Sequence, residues 1–144
     1  MILVSSCLAG IPCRYNACAR TNQEILSAVE AGHAIPVCPE SLAGLPTPRP
    51  CAEIIGGDGE DVLTGSACVR TADGTDVTES FLRGAEEALK IAKENGVTRA
   101  ILCANSPSCG CGSIYDGSFS GVKRSGDGVT AALLKRNNIT VDSI

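Results

Sequence analysis

A three-layer, Rossmann-like α/β domain with a mainly parallel sheet and a small peripheral β excursion is the fold class this sequence predicts, on three observations. Apolar runs of strand length at 1–4, 34–37 and 100–103 alternate with segments whose apolar residues recur at helical spacing. Glycines at 32 and 96 stand where two of the helical patterns stop. Cys7, Cys38 and Cys109 each follow one of the apolar runs, and strand ends on one edge of a parallel sheet converge in space.

Residues 1–5 read as a short buried strand, followed by a loop that holds Gly10, Pro12 and Asn16. A helix is predicted from Thr21, whose hydroxyl can cap the first turn while Glu24 completes a capping box. Ile25, Leu26 and Val29 give it an apolar face. Residues 34–37 are the second strand. Four prolines within 39–50 predict a stiff ordered loop. The Gly- and Asp-rich stretch 52–75, with a β-prone piece at 67–71 and a turn at Asp73-Gly74, predicts the peripheral hairpin. The longest helix starts at Asp76 or Thr78 and buries Phe81, Leu82, Ala85, Ala88, Leu89 and Ala92. Residues 98–103 form the third strand. The glycine-rich stretch 110–128 leads to a helix containing Val129, Leu133 and Leu134, then to a last strand around 140–142.

At 144 residues the chain fits one domain, 1–144. Only 3% of its residues are aromatic and none is Trp, so the core is expected to be aliphatic, with few platforms for stacking single-stranded nucleic acid. A net charge of -4 also argues against a nucleic-acid polymer as partner, but leaves room for a local basic pocket. No run has the length of a membrane span and no leader is visible, so no membrane partner is expected and the chain is read as cytoplasmic. Nine cysteines is an odd count, which rules out complete internal pairing and points to metal binding or catalysis in a reducing compartment. Cys18, Cys51, Cys68 and Cys111 are read as small packing residues.

Cys7, Cys38 and Cys109 lack the close pairing of a zinc ribbon or a redox dithiol. Three thiolates drawn from three separate strands suit an iron–sulfur cluster bound at three corners, and the bland alternative is packing at strand ends. An iron without a protein ligand is a Lewis acid open to a soft atom such as sulfur. Glu40, two residues after Cys38, is a candidate general base or a carboxylate that caps a turn. Ser106 and Ser108 flank Pro107 just before Cys109, where they can hydrogen-bond a ligand or simply form the turn. Arg14, Tyr15 and Arg49 can orient a planar heterocycle; surface ion pairing is the other reading for the two arginines. His33, the only histidine, follows a helix stop and is expected to face solvent. No Walker loop, dinucleotide fingerprint or nucleophile elbow is present.

The segments 6–10, 13–15, 37–40, 44–50, 106–110 and 114–121, in that order, resemble the DUF523 family nearly end to end. Members of that family include thiouracil desulfurases. The resemblance implies a [4Fe-4S] cluster held by Cys7, Cys38 and Cys109, with one iron left open for the sulfur of a 4-thiouracil-like base. It implies non-redox conversion of a small thiolated pyrimidine to the oxo base and hydrogen sulfide, with Glu40 assisting water and Ser106 serving the ring. Cys13 is placed near the site rather than on the metal. Asn16 and Cys103 depart from the family pattern. Two other functions stand beside this one: a non-catalytic iron–sulfur or zinc-binding sensor, and a sulfurtransferase with a persulfide on Cys109 or Cys13.

Overall fold

A computed structural model describes residues 1–144. In chain order the elements are β1 (Ile2–Ser5), a 3-10 turn (Ser6–Ala9), α1 (Gln23–Glu30), β2 (Ala34–Val37), α2 (Pro39–Leu42), β3 (Ala52–Ile55), α3 (Gly59–Thr64), β4 (Cys68–Thr71) and α4 (Thr78–Glu94). They continue with β5 (Arg99–Leu102), β6 (Ser113–Tyr115), β7 (Lys123–Ser125), α5 (Val129–Arg136) and β8 (Thr140–Ser143). The main sheet has the order β2-β1-β5-β8, every pair parallel, with helices flanking it. The expected α/β class therefore holds.

β1 is central, and Leu3 and Val4 are fully buried although successive strand residues point to opposite faces. That is why the strand reads as an unbroken apolar run rather than an alternating one. Ile25 of α1, Ala88 and Ala92 of α4 and Leu134 of α5 join the strands in one core cluster. A second cluster, Ile54, Val62, Val69, Phe81, Ala85, Ile114 and Val129, anchors the excursion formed by the antiparallel pair β3–β4. α4 belongs to both clusters and ties the excursion to the sheet.

The sequence expectations need four local corrections. Asn22 rather than Thr21 caps α1, its side chain accepting from the N–H groups of Glu24 and Ile25. The proline-rich loop begins with the single helical turn α2, where Pro39 occupies an early helical position that needs no N–H partner. Within 52–75 the hairpin carries the short helix α3, closed by a reciprocal capping box between Asp58 and Asp61. The glycine-rich stretch contains the hairpin β6–β7.

Two features of this framework position the site. From β1 the chain runs to β2 on one side and later to β5 on the other, so the strand order reverses beside β1 and opens a crevice beyond the carboxyl ends. Ser5 spans that reversal, its Oγ accepting the Cys103 N–H at 2.8 Å. α2 is held from behind by α4 at Gly84, where a Cβ would lie 2.2 Å from the Pro39 carbonyl oxygen. Only glycine permits so close a backbone approach.

Candidate active site

A cavity of about 730 Å³ opens at the carboxyl edge of the sheet, and six of the nine cysteines line it: Cys7, Cys13, Cys38, Cys51, Cys103 and Cys109. Three different strand ends deliver the three expected ligands. Cys7 lies in the 3-10 turn that follows β1, and its carbonyl accepts from the Gly10 and Arg20 N–H groups. Cys38 immediately follows β2 and starts α2. Cys109 sits in the loop after β5, its N–H donated to Ser106 Oγ at 3.1 Å. All nine cysteines are free thiols.

The packed sulfurs cannot all carry charge at once. Hydrogen bonds shared with Cys103 and Cys13, together with burial, push the Cys7 thiol well above its ordinary range. The hydrogen bond with Cys13 and then burial do the same to Cys38. Cys13, receiving hydrogen bonds from Cys38 and Cys7, is held low. Cys103 is held low chiefly by its bond from Cys7, with Arg20 assisting. Burial pushes Cys109 up to about 12. Such a wall of thiols favours a positively charged partner of soft character.

Glu40 and Arg49 face this wall as an enclosed ion pair, their side chains 15% and 7% exposed. Arg49 donates to Glu40 Oε2 through Nε at 2.9 Å and again through Nη2. Its remaining donors hold the Cys13 and Pro46 carbonyls and Thr47 Oγ1. Arg49 thus fixes Glu40 and two cavity loops together. Both hydrogen bonds go to Oε2, which leaves Oε1 of Glu40 without a protein donor. Burial raises the Glu40 carboxyl above the usual range, against the opposing pull of Arg49.

Arg14, Tyr15, Arg49, Glu40 and Ser106 all line the cavity, as expected from the sequence. Ser106 is also the turn former, because its Oγ accepts the N–H groups of both Ser108 and Cys109; its own proton remains to be donated. Ser108 is a correction. It is fully buried behind the wall, its hydroxyl 2.8 Å from Thr130 Oγ1, so it supports the Cys109 loop and does not face a ligand. His33 is exposed and apart from the cavity.

Several cavity residues went unread in the sequence. Arg20 and Glu53 line it without having been singled out, Cys51 lines it although it was expected only to pack, and Cys103, which departs from the family pattern, lines it as well. All four aromatic residues of the chain, Tyr15, Phe81, Tyr115 and Phe119, line it too. The signal lay in their scarcity: Tyr15, Tyr115 and Phe119 stand outside both core clusters, and only Phe81 is shared between core and cavity.

The donor set fits an iron–sulfur cluster. Thiolates are its protein ligands, and Cys7, Cys38 and Cys109 reach one cavity from three separate segments. No three such side chains close round a single ion. A cluster takes each thiolate on a different iron and so tolerates a wider spread than one tetrahedral ion does.

A parallel α/β domain with a thiol-lined, acid-bearing cavity at its switch point is the framework of a small enzyme whose pocket is rich in soft sulfur groups. The family model described as 2-thiouracil desulfurase matches residues 2–143, and the chain belongs to that family. It is 54% identical over 143 residues to the uncharacterized protein YbbK of Bacillus subtilis (strain 168), covering 99% of this chain and 95% of that one. Its fold is similar to that of the [4Fe-4S]-dependent thiouracil desulfidase TudS (DUF523Vcz), with a TM-score of 0.86 and 44% identity over 99% of this chain and 89% of the other. No helix is long and apolar enough to cross a membrane.

Proposed function

We propose that this protein hydrolyses the carbon–sulfur bond of a small thiolated pyrimidine, with Cys7, Cys38 and Cys109 holding a [4Fe-4S] cluster. The reading is carried by one observation, the delivery of those three sulfurs and Glu40 to a single cavity walled by every aromatic residue of the chain. When bound, the cluster supplies a Lewis-acidic iron for the thiocarbonyl sulfur.

The chain's own residues perform the remaining work. The face of a planar ring suits the aromatic wall, with Arg14 and Tyr15 at the same cavity to set its orientation. Glu40, pinned through Oε2, presents Oε1 as the base that takes a proton from water. The water oxygen adds to the thiocarbonyl carbon, the carbon–sulfur bond breaks with its electron pair on sulfur, and hydrosulfide leaves. Thione and water become oxo base and hydrogen sulfide, with no net electron transfer. Ser106, whose oxygen already accepts two backbone N–H groups, has its O–H to donate to the ring as charge develops. Arg49 keeps Glu40 in place throughout.

The test is anaerobic reconstitution followed by metal analysis and assay of hydrosulfide release from 4-thiouracil. About four irons per chain are expected, with iron content reduced in Cys7→Ser, Cys38→Ser and Cys109→Ser but not in Cys18→Ser. Glu40→Gln should keep the iron and lose turnover. A zinc-loaded or iron-free protein that retains full desulfurating activity overturns the proposal.

A further inference from the structure

Glu53 is an unusual residue to find at the back of this cavity. It lies on β3, is only 8% exposed, and faces the cavity without any cationic partner. Oε1 is occupied, accepting the N–H of Gly117 at 2.9 Å and of Phe119 at 3.3 Å. Oε2 accepts from nothing in the protein, yet it is not sealed away from solvent-filled space. A largely buried carboxylate with one oxygen unpaired, on a residue that lines a cavity, calls for a donor on the ligand.

The loop that Glu53 grips is itself built to stay in place. Gly117 has φ +92° and so little room that a Cβ would lie 2.5 Å from the Ile54 carbonyl oxygen, which presses the loop onto β3. Phe119 holds φ +56°, a left-handed conformation unfavourable for a bulky residue. The Glu53 hydrogen bonds compensate that cost, and the ring of Phe119 becomes part of the cavity wall.

We infer that Glu53 is the residue that reads the heterocycle's N–H edge: Oε1 fixes the loop bearing Phe119 against the ring face, while Oε2 accepts a ring N–H. A thiolated pyrimidine such as 4-thiouracil offers such donors at N3, beside its carbon–sulfur bond, and at N1, across the ring. A ring whose nitrogen bears a methyl group cannot make this bond. Glu53 therefore selects among planar thiones by hydrogen-bond donor, where the aromatic wall selects by shape alone. This inference rests on the desulfurase reading for the identity of its ligand.

The experiment compares 4-thiouracil with its 1-methyl and 3-methyl derivatives in the reconstituted holoenzyme and in Glu53→Gln. Glutamine keeps a carbonyl for the loop amides and replaces the free acceptor with an NH2 donor. Wild-type enzyme should prefer the parent base over one of the two methylated forms by about 10- to 100-fold in kcat/KM, the range for a hydrogen bond to a charged acceptor. In Glu53→Gln the KM for 4-thiouracil should rise by a similar factor with kcat little changed, and the preference should vanish. Amide-exchange protection of Gly117 and Phe119 should persist in Glu53→Gln and disappear in Glu53→Ala.

Equal use of all three bases by wild-type enzyme, or an undiminished preference in Glu53→Gln, overturns the inference while leaving desulfuration intact. Equilibrium dialysis with uracil, 1-methyluracil and 3-methyluracil measures the same preference without turnover. If the preference survives there and no hydrosulfide is released from any thione, the reaction assignment fails and the recognition by Glu53 stands.

Discussion

Replacing Arg49 with alanine removes one half of an enclosed pair and leaves the other half in place. Arg49 makes five hydrogen bonds, two to Glu40 Oε2 and one each to the Cys13 carbonyl, the Pro46 carbonyl and Thr47 Oγ1. With side chains only 7% and 15% exposed, the pair is not a surface contact that water would screen. Stripping one partner from a buried ion pair costs about 3–5 kcal/mol, because the remaining carboxylate stays desolvated. For a chain of this size that corresponds to a fall in Tm of roughly 10–20 °C. Arg49→Lys keeps the charge but cannot span the same set of acceptors, and should lose about 1–3 kcal/mol. Adding Glu40→Gln to Arg49→Ala should recover part of the loss, since the stranded charge is then gone. Urea unfolding of the metal-free proteins measures all four forms. A loss below about 1 kcal/mol for Arg49→Ala, the value of an exposed pair, would refute the reasoning.

Two further outcomes follow from contacts behind the site. Ser108→Ala strands Thr130 Oγ1, whose only side-chain partner it removes, and should cost about 1–3 kcal/mol in urea unfolding; Thr130→Val in the same chain should restore most of it. Gly84→Ala gains about 1 kcal/mol of helix propensity but drives a methyl to 2.2 Å from the Pro39 carbonyl oxygen. Overpacking costs about 1–3 kcal/mol, so a net loss is expected. Because α2 carries Glu40, desulfurating activity should fall with it, and unchanged activity would show that α2 absorbs the displacement.

The sheet was legible because burial on both faces favours apolar residues, so 1–4, 34–37 and 100–103 stand out as runs within or beside β1, β2 and β5. The same runs fixed where Cys7 and Cys38 would lie. The hairpin β6–β7 was not legible, because Lys123, Arg124 and Ser125 are all exposed and show no alternation. The Asn22 cap escaped because Thr21 satisfies the same pattern one residue earlier, and only the chain's entry angle separates them. Ser108 was misread because a serine beside Cys109 looks equally placed whichever way the turn at Pro107 sends it; the partner that decides, Thr130, is 22 residues away. Glu53 left no local mark either, since its two hydrogen bonds reach residues 64 and 66 positions further on.

The confinement of every ring to one cavity has an optical corollary. The chain has no indole and two phenols, and both phenols, Tyr15 and Tyr115, border the same hollow. Near-ultraviolet dichroism and intrinsic emission of the metal-free protein therefore originate almost wholly from that hollow. An occupant announces itself there against a dark background, and titration needs no added dye or label.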